Sequence, residues 1–243
     1  GDAHYTLATD EIEKALHDPS PRVRREAAAA LARMGDAKSE DALLHQLEDH
    51  PDLVEEETVE ALLQLGMVSE FLGKETEARN WYGQAAKSFG DKPQGIKAAG
   101  AVRRLDSEGQ AFRMAGSTMG ANPAAFDMAQ LSGKVVIVYF WASWNNQSIG
   151  DFAKIKALLE THGPKGVEFV AVNCDQTQAE GMSVVQRAGV GGVHLHQAGG
   201  LDGKLCTEQG LMVLPHLFLI GKDGKVVNKN AQLATIEDDL RRQ

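Results

Sequence analysis

Residues 133–144 read GKVVIVYFWASW, and the eight residues from Val135 to Ala142 within them are all apolar. An apolar run of this length is typical of a strand that is covered on both of its faces. The preceding Gly-Lys pair and the following Ser143 mark its ends. The stretch therefore predicts a central strand at 135–141, around which the rest of the domain is built.

The sequence on either side of this strand predicts an α/β sandwich. Two further central strands are predicted at 167–173 and 216–220, and two helices at about 147–162 and 178–188. Shorter elements complete the pattern: strands at 111–115, 125–128 and 225–229, and helices at 203–209 and 235–242. Strand, helix and strand followed by a hairpin and a last helix predict a central mixed sheet flanked by helices.

The first 107 residues have a different character. They carry 13 basic and 21 acidic side chains, a net charge of −8, whereas the other 136 carry 12 and 13, a net charge of −1. Apolar residues recur at helical spacing throughout this half. We therefore predict two domains, an all-α domain at 1–107 and an α/β domain at 108–243.

Within the helical half, two segments resemble known helical repeats. Residues 18–31, which read DPSPRVRREAAAAL, are similar to one HEAT repeat. The residues Leu62, Leu65, Gly66, Ala78, Tyr82 and Ala85 stand at the offsets of a tetratricopeptide repeat. Gly66 and Ala78 are the small residues that such a unit needs where its helices cross. The alternative is a bundle of five or six helices without a groove.

Composition excludes several classes of function. The formal net charge of −9 makes a poor electrostatic match for nucleic acid or an anionic membrane. No stretch approaches the roughly 18 apolar residues of a transmembrane helix. Two cysteines, Cys174 and Cys206, are too few for a zinc ribbon, an iron–sulfur cluster or a disulfide-dense scaffold. No cofactor-binding motif is present, so no cofactor is predicted.

The segment 133–144 resembles the strand that leads into the active site of thioredoxin-like proteins, especially the TlpA/ResA group of extracytoplasmic thiol–disulfide oxidoreductases. Leu214-Pro215 at the expected distance downstream, and LFLI at 217–220 leading into KDGK at 222–225, extend the resemblance over about 111–240. The resemblance implies a thioredoxin fold, a cis peptide bond at Pro215 and an extracytoplasmic location, periplasmic or secreted.

The sequence departs from this family where the chemistry belongs. The family places Cys-x-x-Cys after the residue that corresponds to Trp144, but this chain has Asn145, Asn146, Gln147 and Ser148 there. Neither a carboxamide nor a hydroxyl can replace the thiolate that attacks a disulfide. No catalytic residue is therefore predicted within this vestigial motif.

A peptide-binding groove is the remaining function that the resemblance implies. Its predicted residues are Trp141, Trp144, Asn145, Leu214, Pro215 and His216. The alternative is that these residues only determine the fold. Asp151 falls where the family has an active-site Glu; the alternative is an exposed acid favoured by the helix dipole.

The cysteines and two histidines leave further alternatives open. The sequence leaves three alternatives for Cys174 and Cys206. They are two buried small hydrophobic residues, a structural disulfide or a relocated redox pair. His194 and His196 alternate along an extended segment and share one face, but two ligands without a third make a weak metal site. No metal is predicted.

From these observations we predict a redox-inactive module that binds a protein or peptide partner. The alternative is a thiol–disulfide oxidoreductase or redoxin-type enzyme that works through Cys174 and Cys206. A third hypothesis, a metal or small-molecule binder, would use His194 and His196.

Overall fold

The computed structural model describes residues 55–242, together with residues 11–16, 18–20, 23, 27 and 30. The chain divides into two compact units, Gly1–Val102 and Arg103–Gln243. The domain boundary predicted from the sequence, between residues 107 and 108, lies slightly further along the chain.

Helices make up the described part of the first unit. They are α1 (Glu55–Phe71), α2 (Glu75–Ser88) and α3 (Pro93–Leu105), whose last turn extends into the second unit. Residues 11–15, 23, 27 and 30 are also helical, and residues 18–20 are not. The rest of the predicted HEAT segment, 18–31, lies outside the described residues.

The crossing of α1 and α2 is close, as the small residues predict. Tyr82 is fully buried, and its ring lies where a side chain on Gly66 would begin. Ala78 and Ala85 are buried on the same helix as Tyr82. The predicted role of Gly66 at the crossing is therefore confirmed.

The described part of the second unit contains a small hairpin, a five-stranded sheet and four α-helices. The hairpin pairs β1 (Ala115–Ser117) with β2 (Ala125–Asp127). The sheet consists of β3 (Val135–Trp141), β4 (Val167–Asn173), β5 (Val193–His196), β6 (His216–Ile220) and β7 (Val226–Asn228). The helices are α4 (Asn146–His162), α5 (Gln178–Ala188), α6 (Lys204–Glu208) and α7 (Ile236–Arg241).

The sheet has the mixed topology that the sequence predicts. Its strand order is β5-β4-β3-β6-β7, with β3 parallel to β4 and antiparallel to β6. Both faces of β3 are buried: Ile137, Tyr139 and Trp141 pack beneath α4, and the alternate residues pack against the other core cluster. The predicted bounds of β3, β4, β6 and α5 are confirmed.

The strand predicted at 111–115 is wrong. Its first residue makes only an isolated bridge, Ala111 to Lys225, and the strand β1 begins at Ala115. The intervening backbone bonds to the turn after β6, where the Phe112 N–H donates to the Gly224 carbonyl at 2.9 Å. The apolar side chains of this segment, Phe112 and Met114, are buried in the core, which explains their strand-like pattern.

Among the residues that the structure describes, none of the helices combines the length and the apolar character needed to cross a bilayer.

Candidate functional site

The junction between β3 and α4 forms one side of the candidate site. β3 ends at Trp141, and Asn145 occupies the N-cap position of α4. The Asn145 side-chain oxygen accepts a hydrogen bond from the Ser148 backbone N–H at 2.9 Å. This bond satisfies one of the N–H groups that a helix leaves unpaired at its first turn.

The Leu214–Pro215 segment forms the other side. The peptide bond between these residues is cis, and the Asn145 amide nitrogen donates to the Leu214 carbonyl at 3.0 Å. One carboxamide therefore accepts from the helix and donates to a segment 69 residues further along the chain. A carboxamide has no nucleophilic sulfur, so this arrangement holds the loop but cannot exchange disulfides.

Exposed apolar side chains lie on the helix side of this junction. Trp144 is 59% exposed and Ile149 is 40% exposed, which makes them the two large hydrophobic residues of the described second unit that face solvent most. Asn146 and Gln147, between them in sequence, are also exposed. An exposed tryptophan offers a partner a large apolar surface and an N–H donor.

Three of the predicted groove residues have buried side chains and do not line an open groove. Leu214 is 7% exposed, and its side chain belongs to a core cluster. Trp141 is fully buried, with its ring edge-to-face against Phe152 at 4.7 Å between centroids. His216 is 9% exposed, and its Nε2 bonds to the Lys229 carbonyl at 2.8 Å. Trp141 was predicted from its position shortly before the motif and His216 from its position directly after Pro215, but strand alternation directs Trp141 into the core beneath α4.

Asp151 is buried rather than an exposed acid of the first turn. It is 8% exposed and accepts a hydrogen bond from the Tyr139 hydroxyl at 3.1 Å, while Lys154 lies 3.6 Å from its other oxygen. Burial, reinforced by the charge of Asp151, raises the pKa of Tyr139 well above its ordinary value. The tyrosine therefore remains a donor at neutral pH.

A cavity of about 200 Å³ opens beside Tyr139 and Asp151, with Gln147 and Pro215 among its lining residues. Ser148, the last residue of the vestigial motif, is fully buried, and its hydroxyl has no hydrogen-bond partner among the described residues. The motif thus ends in a buried polar atom that the fold does not use.

The two cysteines lie together in the core. Cys174 follows β4 and is 1% exposed, and Cys206 lies in α6 and is fully buried. Their sulfur atoms are 3.4 Å apart. The side chain of Gln197 contacts this pair, and its amide nitrogen donates to the Cys206 sulfur at 3.0 Å. The sequence analysis identified both cysteines as candidate site residues but did not identify Gln197.

His194 and His196 lie on one face of β5, as alternation predicts, but each has a local partner. His194 Nε2 is 3.0 Å from the Val190 carbonyl, and His196 Nδ1 is 3.0 Å from the Asn173 side-chain oxygen. Burial lowers the pKa of both histidines. Within the described residues, no group of three or more His, Cys, Asp or Glu side chains could hold a metal ion.

Asp175 is a site residue that the sequence analysis missed. Its carboxylate accepts a hydrogen bond from the Ser143 N–H at 2.8 Å and another from the Asn173 amide at 2.7 Å. Because β3 and β4 are parallel with Trp141 opposite Asn173, Asp175 lies level with Ser143. An acidic residue just beyond a strand that neighbours β3 was the signal that could have indicated this contact.

Two protein-family models match separate parts of the chain. Residues 133–226 match the family model described as thioredoxin-like, and residues 3–69 match the model described as HEAT repeats. The chain therefore contains HEAT repeats followed by a thioredoxin-like domain.

Individual relatives agree with this assignment. Thiol-disulfide oxidoreductase ResA from Bacillus thuringiensis (strain Al Hakam) is 30% identical over 103 residues, which are 42% of this chain and 58% of that protein. The ResA of Bacillus anthracis gives the same values. The chain thus covers less than two thirds of these relatives.

Among solved structures, this chain is similar to a DsbE thiol:disulfide interchange protein from Chlorobium tepidum. The aligned region covers 56% of this chain and 96% of that protein, with a TM-score of 0.50 and 22% identity. This likeness shows the fold alone.

Proposed function

We propose that this chain, whose second unit contains a thioredoxin-like domain, is a redox-inactive module that binds an extended peptide at the surface formed by Trp144, Asn145 and the Leu214–Pro215 segment. One observation carries the proposal: the Asn145 carboxamide joins the first turn of α4 to the Leu214 carbonyl. Disulfide exchange needs an accessible thiolate, and both cysteines of the chain are buried elsewhere.

Unused hydrogen-bonding capacity of the backbone supports peptide binding at this surface. A carbonyl oxygen has two lone pairs, so Leu214 can accept a second hydrogen bond while Asn145 donates the first. An extended peptide that runs beside residues 213–215 would pair with the backbone there, the way peptides add to strands. Trp144, beside it, would cover an apolar side chain of that peptide.

Selection from a random peptide library displayed on phage tests this proposal. We expect the full chain to enrich peptides whose binding is lost in the Trp144→Ala variant. Lys165→Ala serves as the matched control, because it changes a side chain outside the site. Enrichment of no peptide, or of peptides that bind the Trp144→Ala variant equally well, would refute the proposed binding surface.

Thiol–disulfide exchange through Cys174 and Cys206 is the second candidate, and the 3.4 Å contact between their sulfur atoms favours it. An insulin reduction assay distinguishes the two candidates. We expect the native chain to be inactive and an Asn145→Cys/Ser148→Cys variant to gain activity, since it recreates the family motif at the N-terminus of α4. Activity of the native chain that disappears in a Cys174→Ala/Cys206→Ala variant would favour the enzyme instead.

An extracytoplasmic location is part of this proposal and rests on the resemblance to the TlpA/ResA group. Fractionation of the source cells with antibodies against the chain would test it. Recovery in the cytoplasmic fraction would contradict it.

A further inference from the structure

We propose that Cys174 and Cys206 form an intramolecular disulfide that braces the candidate site from beneath. The inference does not depend on peptide binding by that site. It starts from two sulfur atoms 3.4 Å apart in the core. A disulfide requires about 2.05 Å between sulfur atoms, so they must approach by a further 1.4 Å or so, the difference between these two distances.

The surroundings of the two thiols suit a bond between them. Gln197 holds both sides of the pair: its amide nitrogen donates to Cys206 at 3.0 Å and lies 3.7 Å from the Cys174 sulfur. Its side-chain oxygen accepts from the Leu205 N–H at 2.6 Å, which ties α6 to the end of β5.

The reaction needs an oxidant, which we take to be a low-molecular-weight disulfide. Because both thiols are buried in the folded chain, the reaction takes place during folding, before the core closes over them. The Cys206 thiolate attacks one sulfur of that disulfide, forms a mixed disulfide and releases one small thiolate. Cys174 then gives up its proton and attacks the Cys206 sulfur. The second small thiol leaves, so two protein thiols have been oxidised and one small disulfide has been reduced to two thiols.

The pair is connected to both sides of the candidate site. The Cys174 N–H donates to the Trp141 carbonyl at 2.8 Å, and its neighbour Asp175 accepts from the Ser143 N–H. On the other side, the Cys206 carbonyl accepts from the Leu211 N–H at 2.9 Å, shortly before Leu214. A bond between the sulfur atoms would therefore tie the segment after β3 to the segment before Pro215.

Intact-mass spectrometry of the full chain, refolded from urea in the presence of glutathione disulfide, tests the proposal. We expect the loss of two hydrogen atoms without a glutathione adduct, and a peptide in which Cys174 is linked to Cys206. A stable glutathione adduct, or two thiols that persist after oxidation, would refute the proposal. This measurement uses the native chain, so it does not depend on whether a cysteine variant folds.

Two further readouts test the bracing. A cross-link that closes a loop of about 30 residues should raise the urea midpoint of the oxidised protein over the reduced one by more than about 1 M. NMR amide shifts should differ between the two forms at Ser143 and Leu211. A disulfide that leaves the midpoint and both amides unchanged would refute the bracing, whereas failure of the phage selection would affect only the proposed peptide binding.

Discussion

Two variants measure how much the hydrogen bonds of Asn145 contribute to stability: one removes both bonds, and the other removes only the bond to Leu214. Asn145→Ala deletes the N-cap bond to Ser148, which costs about 1 kcal/mol. It also leaves the Leu214 carbonyl without the amide donor, which costs about 1–2 kcal/mol at a partly buried group. We therefore expect the free energy of unfolding of the second unit to fall by about 2–3 kcal/mol.

Asn145→Asp separates these contributions. The carboxylate still accepts from the Ser148 N–H, and its charge suits the N-terminus of α4. It cannot donate to the Leu214 carbonyl and instead places a negative oxygen beside it. We expect a loss of about 1–2 kcal/mol, smaller than for alanine.

Urea unfolding followed by tryptophan fluorescence measures these losses. A Trp81→Phe background removes the tryptophan of the first unit and leaves Trp141 and Trp144 as reporters. With a slope of about 2 kcal/mol per molar urea, the midpoint should fall by about 1–1.5 M for the alanine variant. The exposed Asn146→Ala is the control and should change the free energy by no more than about 0.5 kcal/mol. An alanine variant as stable as this control would refute the bridging role of Asn145.

Three further predictions concern packing and protonation. Gly66→Ala should destabilise the first unit by about 1–3 kcal/mol because its new Cβ meets the Tyr82 ring, whereas Gly83→Ala, which meets nothing, should stabilise it by up to about 1 kcal/mol; thermal unfolding by circular dichroism measures both. Tyr139→Phe should cost about 1–2 kcal/mol in urea unfolding, since it removes a donor from a buried carboxylate. Burial holds the pKa of His194 below its ordinary value, so protonation favours the unfolded state and stability falls as the pH drops below about 6.5. His194→Gln should reduce that fall in a pH series of unfolding curves, and an unchanged slope would contradict this assignment.

The central strands could be predicted because a strand buried on both faces shows in the sequence as an almost uninterrupted apolar run. Val135–Trp141 and Val167–Asn173 are apolar nearly throughout, and the structure covers both of their faces. That same property hid the orientation of Trp141. In a half-exposed strand, alternating polar residues would show which face each side chain occupies. In a strand buried on both faces, position alone does not distinguish a core tryptophan from one that lines a groove.

The contacts of the site are mostly beyond local sequence for a different reason. The N-cap bond of Asn145 spans three residues and follows from a polar residue before a helix. The bond to Leu214 spans 69 residues and depends on the fold that brings the two loops together. The buried Asp151 likewise has its partner in Tyr139, on a strand beneath its helix and 12 residues earlier in the chain. Such long-range partners can be predicted only when the arrangement and register of the strands are known.

Asn145 and Ser148, which stand where the family has its two thiols, therefore differ in their contacts. Asn145 uses both ends of its carboxamide, with one bond to each side of the site. Ser148 keeps a buried hydroxyl without a partner among the described residues, which costs free energy that an alanine would not. We expect Ser148→Ala to leave stability unchanged or raise it by about 1 kcal/mol in the urea assay above, in contrast to Asn145→Ala. A loss as large as that of Asn145→Ala would show that the serine hydroxyl, too, stabilises the site.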